Sequence, residues 1–442
     1  MEAWLPRNWT GRFLSLGNGG LAGCIQYNNL AYTTSLGFAA VGANNGHNGT
    51  SGAAFENHPE VLADFVYRSV HTNVVIGKEI TEAFYGQRHK KSYYLGCSTG
   101  GRQGIKSVED FPEDFDGVVA GAPAINWNNL IAWAGHLYSE ITRDANSSSF
   151  IPTDAWSGLI HNDIISQCDG IDGVRDGIIE DPNRCHYDPS ALLCAESSTN
   201  DTCLTATQVE TVRKVYSPFL GSDSRELFPA PQPGGEADPD FLLAMSGYPS
   251  PFTSEWFKYA VYNNASYDPT TLTIEDYEYA IRLNPFDIAT FKGDMDAFRQ
   301  RGGKVLTYHG QADGLISPKI SERYYERVQE ISGSASGELD EYFRFFRIPG
   351  MEHCAGGPGA WQVGQSGVSV ASLDADKNVL MAMVKWVEMG EAPETLEGVK
   401  YVGDDKEKGE AFRRRHCRYP LRSTYDGVGD ASKLESWRCE MP

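Results

Sequence analysis

Residues 96–100, Gly-Cys-Ser-Thr-Gly, restrict the fold of this chain more than any other stretch, because they set a serine at the apex of a tight glycine turn. Upstream, residues 92–95 (Ser-Tyr-Tyr-Leu) read as a short buried strand. Downstream, residues 101–108 are predicted to run as a helix whose first backbone N–H groups point back toward the serine. Gly-x-Ser-x-Gly alone is common in glycine-rich loops; the strand, turn and helix around it mark Ser98 as an exposed nucleophile.

A serine nucleophile needs a base, and the base needs an orienting carboxylate. In α/β-hydrolases these follow in the order Ser, Asp, His. Residues 304–314 form an apolar strand running into a loop with Asp313 near its start, which is the candidate acid. Residues 342–353 repeat the pattern and end in a glycine loop carrying His353, the candidate base. His47, His71, His89, His136 and His309 lack such a position and read as ordinary hydrogen-bonded or exposed histidines. The oxyanion needs two backbone N–H donors. Thr99, the residue after the nucleophile, is expected to supply one, and Gly20, in the loop at 17–20 that follows the apolar run at 12–16, the other. That loop lacks the Gly-x-Gly-x-x-Gly spacing, which sets a dinucleotide-binding reading aside.

The order of elements predicts an α/β fold: a hydrolase core over residues 1–126 and 295–442, with an inserted lid domain at 127–294. Lid aromatics Trp127, Trp133, Trp156, Trp256 and Tyr259 are candidates for gripping an aromatic acyl group, each also readable as core packing. No apolar run approaches the ~20 residues needed to span a bilayer. The net charge of −21 argues against nucleic acid and anionic membranes as partners. Nine cysteines, several closely spaced, point to an oxidising compartment. Asn-x-Ser/Thr sequons at Asn8, Asn48, Asn146, Asn200 and Asn264 agree with secretion as a glycoprotein.

Cys97 precedes the candidate nucleophile and Cys354 follows the candidate base. With these cysteines, the chain closely resembles the tannase/feruloyl esterase family of α/β-hydrolases, marked by Cys-Ser, Asp and His-Cys catalytic elements. Supporting stretches lie at 2–6, 18–23, 46–52 and 115–124, and the Cys-Ser-Thr-Gly-Gly-Arg-Gln-Gly form at 97–104 is more similar to the feruloyl esterases than to the tannases. The resemblance implies disulfides Cys97–Cys354, Cys168–Cys185, Cys194–Cys203 and Cys417–Cys439, although the sequence alone permits other connectivities. It leaves Cys24 to pair with a cysteine in an upstream segment that would also hold the signal peptide, since none is visible at residues 1–6.

Residues 168–185 alternate aspartates and glycines between two cysteines, hard oxygen ligands on a bent loop that suit calcium. EF-hand spacing is excluded, because the third and fifth positions counted from Asp169 fall on Ile171 and Gly173. The resemblance implies a structural calcium ion held by carboxylates of Asp169, Asp172 and Asp176 and carbonyls of Val174 and Ile178. The expected function is a secreted serine carboxylic ester hydrolase that releases ferulic or related hydroxycinnamic acids from plant cell-wall polysaccharide such as xylan. A tannase-like hydrolase of galloyl or other aromatic esters is the alternative, and a non-catalytic binding protein on a hydrolase scaffold a remote one.

Overall fold

The structure, a computed structural model, describes residues 1–195 and 202–442, so the sequon at Asn200 lies outside the described residues. Short apolar runs in the first part of the chain form β1 (Glu2–Trp4), β2 (Arg12–Leu16), β3 (Phe38–Gly42), β4 (Lys91–Cys97) and β5 (Gly117–Gly121). In the insertion, β6 (Phe219–Leu220) and β7 (Glu226–Phe228) pair only with each other. The chain then returns to the main sheet as β8 (Lys304–Gly310) and β9 (Phe343–Ile348). The seven strands lie in the order β1-β3-β2-β4-β5-β8-β9. β1 runs antiparallel to β3 and all other neighbours are parallel.

A parallel sheet carries helices on both faces, so its strands are apolar on both sides. β3 and β5 are buried at every position. Alternate residues divide between two layers. Phe13, Tyr94, Val118, Val305 and Phe345 pack with helices Ser69–Tyr85, Thr99–Asp110 and Lys319–Ser332. Leu14, Tyr93, Val119, Leu306 and Phe346 pack with helices Tyr27–Ser35 and Val379–Met389. This is the α/β-hydrolase arrangement expected from the sequence.

Between β5 and β8 the described residues add helices but no strand of the main sheet. Buried Trp127, Trp133, Trp156, Trp256 and Phe257 of this segment belong to the same apolar cluster as Phe13 and Val118. The inserted segment and this face of the sheet therefore share one continuous core.

After β9, β10 (Thr395–Tyr401) pairs with β11 (Glu410–Cys417), and β12 (Arg422–Tyr425) with β13 (Trp437–Glu440). The four expected disulfides form, and Cys24 is a free thiol. Among the described residues no helix is long and apolar enough to cross a membrane.

The helix Thr99–Asp110 starts directly against the loop that follows β2. A Cβ on Gly17 would stand 2.4 Å from the Tyr94 hydroxyl and 2.6 Å from the Gly100 Cα. Gly17→Ala is therefore expected to destabilise the fold by roughly 1–3 kcal/mol, whereas Gly19→Ala, where a Cβ meets nothing within 4 Å, is expected to be nearly neutral. Urea unfolding midpoints of the two variants check this.

Candidate active site

β4 ends at Cys97, and the next residue, Ser98, turns sharply with φ 65° and ψ −127°. L-residues rarely occupy this region, and the strain is held by hydrogen bonds on both sides. The Ser98 N–H donates to the Gly121 carbonyl at the end of β5 (3.0 Å), and the Ser98 carbonyl accepts from the N–H groups of Arg102 and Ala124 (both 3.0 Å). The helix beginning at Thr99 directs its positive dipole end at the serine. The Thr99 hydroxyl donates to the Gly20 carbonyl (2.8 Å). The loop carrying Gly20 is also anchored by the Asn18 side chain, which donates to the carbonyls of Cys24 (2.9 Å) and Ala43 (2.8 Å). Ser98, Thr99 and Gly20 line one cavity.

Asp313 lies on the loop after β8 and is buried. Its Oδ1 accepts from the N–H groups of Leu315 (2.9 Å) and Ile316 (2.8 Å). Its Oδ2 lies 2.8 Å from His353 Nδ1 and 3.0 Å from His309 Nε2. Burial opposes the carboxylate charge, but the two histidines outweigh it and hold the group well below the usual carboxylate range. His353 sits on the loop after β9. Burial would depress its pKa, but the charge and hydrogen bond of Asp313, helped by Asp240 and Asp238 of the lid, raise it above the usual 6.5. The Cys97–Cys354 disulfide, with Cα atoms 6.1 Å apart, joins the residue before Ser98 to the residue after His353. The three sequence candidates thus stand past the ends of β4, β8 and β9, at the same C-terminal end of the parallel strands.

The cavity at Ser98 is walled by Trp127, Leu130, Ile131, Phe252, Leu315 and Ile316, with Ser250 as a polar neighbour. Of the lid aromatics proposed from sequence, Trp127 reaches it. Trp133 packs on Phe228 and Trp156 on Phe241. Trp256 stands edge-on to Trp127 and donates its indole N–H to Asn128 Oδ1 (3.1 Å). Tyr259 packs against the core. Phe252 and the aliphatic wall were not singled out by sequence, because an apolar pocket residue on a helix has the same pattern as a core residue. His309, read from sequence as ordinary, bonds the candidate acid; its signal was the His-Gly-x-x-Asp spacing at the end of β8.

The acidic loop closes on itself. Asp169 Oδ1 accepts from the N–H groups of Asp176 (3.3 Å) and Gly177 (3.2 Å), Asp172 Oδ1 from Val174 (2.9 Å), and Asp176 Oδ1 from Ile178 (3.2 Å). Asp176 also pairs with Arg414 of β11. Among the described residues, no three His, Cys, Asp or Glu side chains are grouped as a metal centre, so the expected site depends on backbone carbonyls for its remaining ligands. Negative charge is in surplus there. Burial first, then Asp176 and Asp169, push the Asp172 carboxyl up to about 6 against the Val174 N–H and Arg414. Glu180, buried and facing Arg414 Nε at 3.5 Å, is pushed up to about 8 by burial, with Asp172 and Asp176 adding and Arg414 and Ser423 opposing. Hard oxygens and negative charge that the single arginine Arg414 only partly offsets fit a divalent cation such as calcium.

Residues 1–440 match the family described as "Tannase and feruloyl esterase". The chain is 51% identical over 439 residues to the probable feruloyl esterase B-1 of Aspergillus flavus, covering 99% of this chain and 83% of that protein. It superposes on the crystal structure of feruloyl esterase B from Aspergillus oryzae with a TM-score of 0.95 at 46% identity, covering 99% of this chain and 86% of the other. Tannin acyl hydrolase from Aspergillus niger shares the fold at a TM-score of 0.80 and 24% identity, over 100% of this chain and 83% of that one. The chain belongs to the tannase and feruloyl esterase family and is a carboxylic ester hydrolase.

Proposed function

We propose that the chain is a feruloyl esterase that cleaves hydroxycinnamic esters, such as those on plant cell-wall polysaccharide, with Ser98 as nucleophile, His353 as base and Asp313 as orienting acid. The observation that carries this reading is the bond between His353 Nδ1 and the buried Asp313 carboxylate, tied by the Cys97–Cys354 disulfide to the strained turn of Ser98. His353 takes the serine proton as Ser98 Oγ attacks the ester carbonyl. Asp313 holds the imidazole with its proton on Nδ1 and stabilises the imidazolium. The tetrahedral oxyanion is held by the N–H groups of Thr99 and Gly20. The imidazolium returns its proton to the leaving alcohol, and water repeats the cycle on the acyl-enzyme.

The cavity wall favours cinnamoyl over galloyl groups. Its apolar surfaces suit a flat ring, and burying three phenolic hydroxyls against them would leave polar groups without partners. The identities of 46–51% to feruloyl esterases point the same way. Disulfides and sequons support secretion as a glycoprotein. In the acidic loop, carboxylates of Asp169, Asp172 and Asp176 and carbonyls of Val174 and Ile178 would hold a calcium ion, whose contribution is to neutralise buried charge and brace the lid at a distance from the reacting atoms.

Hydrolysis of methyl ferulate, caffeate, sinapate and gallate, with Ser98→Ala as control, tests the assignment. The cinnamates are expected to exceed gallate in kcat/KM by at least about tenfold, and Ser98→Ala to lose at least about 10³-fold. Preference for gallate would make the enzyme a tannase, and retained turnover in Ser98→Ala would remove the triad.

Because His353 must be neutral to act and its pKa is raised, activity is expected to climb with pH along an acid limb centred above the usual imidazole value. Asp313→Asn removes the charge that raises it, so that limb should move down while kcat falls by about 10⁴. A pH profile of kcat/KM decides.

Chelating calcium should lower Tm by at least about 3 °C and leave kcat/KM nearly unchanged below the transition. An unchanged melting curve, with no calcium detected in the purified protein, would exclude the ion.

A further inference from the structure

We propose that His309 is a positioning residue for ester hydrolysis: its Nε2–H holds the Asp313 carboxylate in the orientation that His353 requires, and Ser321 fixes the tautomer that lets it do so. The inference rests on the triad reading of Ser98, Asp313 and His353 above.

His309 lies on β8 and is fully buried. Its Nε2 faces Asp313 Oδ2 at 3.0 Å and the Ile316 carbonyl at 3.2 Å. Both are acceptors, so this nitrogen carries the proton. Nδ1 then presents a lone pair, and the Ser321 hydroxyl, 2.7 Å away on the helix Lys319–Ser332, donates to it. The result is a directed chain in which Ser321 donates to His309, His309 to Asp313, and His353 to Asp313 from the other side. With the N–H groups of Leu315 and Ile316 on Oδ1, the carboxylate has four donors and its acceptor capacity is filled.

This arrangement does two things that a space-filling core residue would not. Two backbone donors fix Oδ1, but Oδ2 is the atom His353 uses, and His309 is its second anchor. The His309 N–H also draws electron density from Oδ2, which lowers the basicity of Asp313 and keeps the proton on His353 when it becomes imidazolium. The charged groups around the pair come from several elements. Asp238 and Asp240 approach His353 from the lid, where Asp238 also accepts from the Gly314 N–H (3.0 Å), and Glu352 adjoins it in sequence. None of them donates to Asp313. Removing the His309 donor would leave Oδ2 a stronger partner for the imidazolium, so the acid limb of kcat/KM should move up. Simple loosening of the site would weaken the pair and move it down.

The test compares His309→Gln with His309→Asn in the full chain, using the fastest ester of the panel above. The Gln amide reaches the Nε2 position, while the shorter Asn amide does not. His309→Asn is expected to lower kcat about tenfold or more, to leave KM within about twofold, and to raise the acid limb by about half a pH unit. His309→Gln should remain close to wild type, and Ser321→Ala should shift kcat and the limb in the same direction as Asn but less. Wild-type kcat and limb in His309→Asn, or equal losses in Gln and Asn with an unmoved limb, would overturn the proposal. Should both His309 variants lose the native fold by near-UV circular dichroism, Ser321→Ala decides, and an unaltered kcat and limb there would overturn it. Turnover by Ser98→Ala would instead remove the triad itself, whereas an inactive Ser98→Ala beside an indifferent His309→Asn would remove only the role of His309.

Discussion

The buried carboxylate of Asp313 is the interaction on which the site depends. An isolated carboxylate in a protein interior is costly enough to protonate, and only donors on all sides keep it charged. Here those donors come from separate parts of the chain: two backbone N–H groups of its own loop, His309 from β8 and His353 from the loop after β9. Satisfying one charge therefore fixes the path of the loop after β8, the rotamer of His353 and the end of β8 together. Leu315 and Ile316, which give their N–H groups to Asp313, also line the cavity beside Ser98. The electrostatics of the acid and the shape of the pocket are set by the same turn.

The serine side of the site is held by a different constraint. The Gly17–Gly100 approach lets the helix Thr99–Asp110 begin where β4 ends, with Ser98 in a strained conformation between them. Strain of this kind persists only when neighbours over-determine it, and the hydrogen bonds to Gly121 and Ala124 do so. The Cys97–Cys354 disulfide spans 257 residues in sequence. In the chain-entropy picture a loop that long restricts the unfolded chain by about 5 kcal/mol. Its local effect matters as much here, since it couples the serine turn to the histidine loop, which otherwise sit on different strands.

Much of this was legible in the sequence because it sits at punctuation. Ser98, Asp313 and His353 each follow an apolar strand and lie within three residues of a glycine, so pattern alone singles them out. What was not legible depends on long-range approach. Phe252 and Leu130 line the pocket, yet an apolar side chain on a lid helix looks the same whether it faces a cavity or a core. Trp133, Trp156 and Trp256 illustrate the converse, being packed in the core. The pairing of Asp176 with Arg414 joins residues 238 positions apart and leaves no local trace. His309 is the instructive case. Its four-residue spacing from Asp313 was in view, but a histidine inside an apolar strand reads as core until the turn after β8 folds the acid back onto it.

The packing of the 127–294 segment against the rest of the chain bears on how the cavity keeps its shape. Trp127 lines the cavity with one face, while its ring contacts Trp256 and Phe65, and the Arg102 guanidinium lies 5.5 Å from its centroid. Trp256 is in turn set edge-on to Phe55 from the first part of the chain. Moving the pocket wall would require opening this cluster, which interleaves residues of the 127–294 segment with helical residues from the first part of the chain at the packing density of a protein interior. The cavity is therefore preformed, and a ligand entering it does not require the wall to be ordered first. Under the function proposed above, discrimination between ring substituents would fall on shape and on unmatched hydroxyls, terms that a rigid apolar wall imposes and a flexible one would relax.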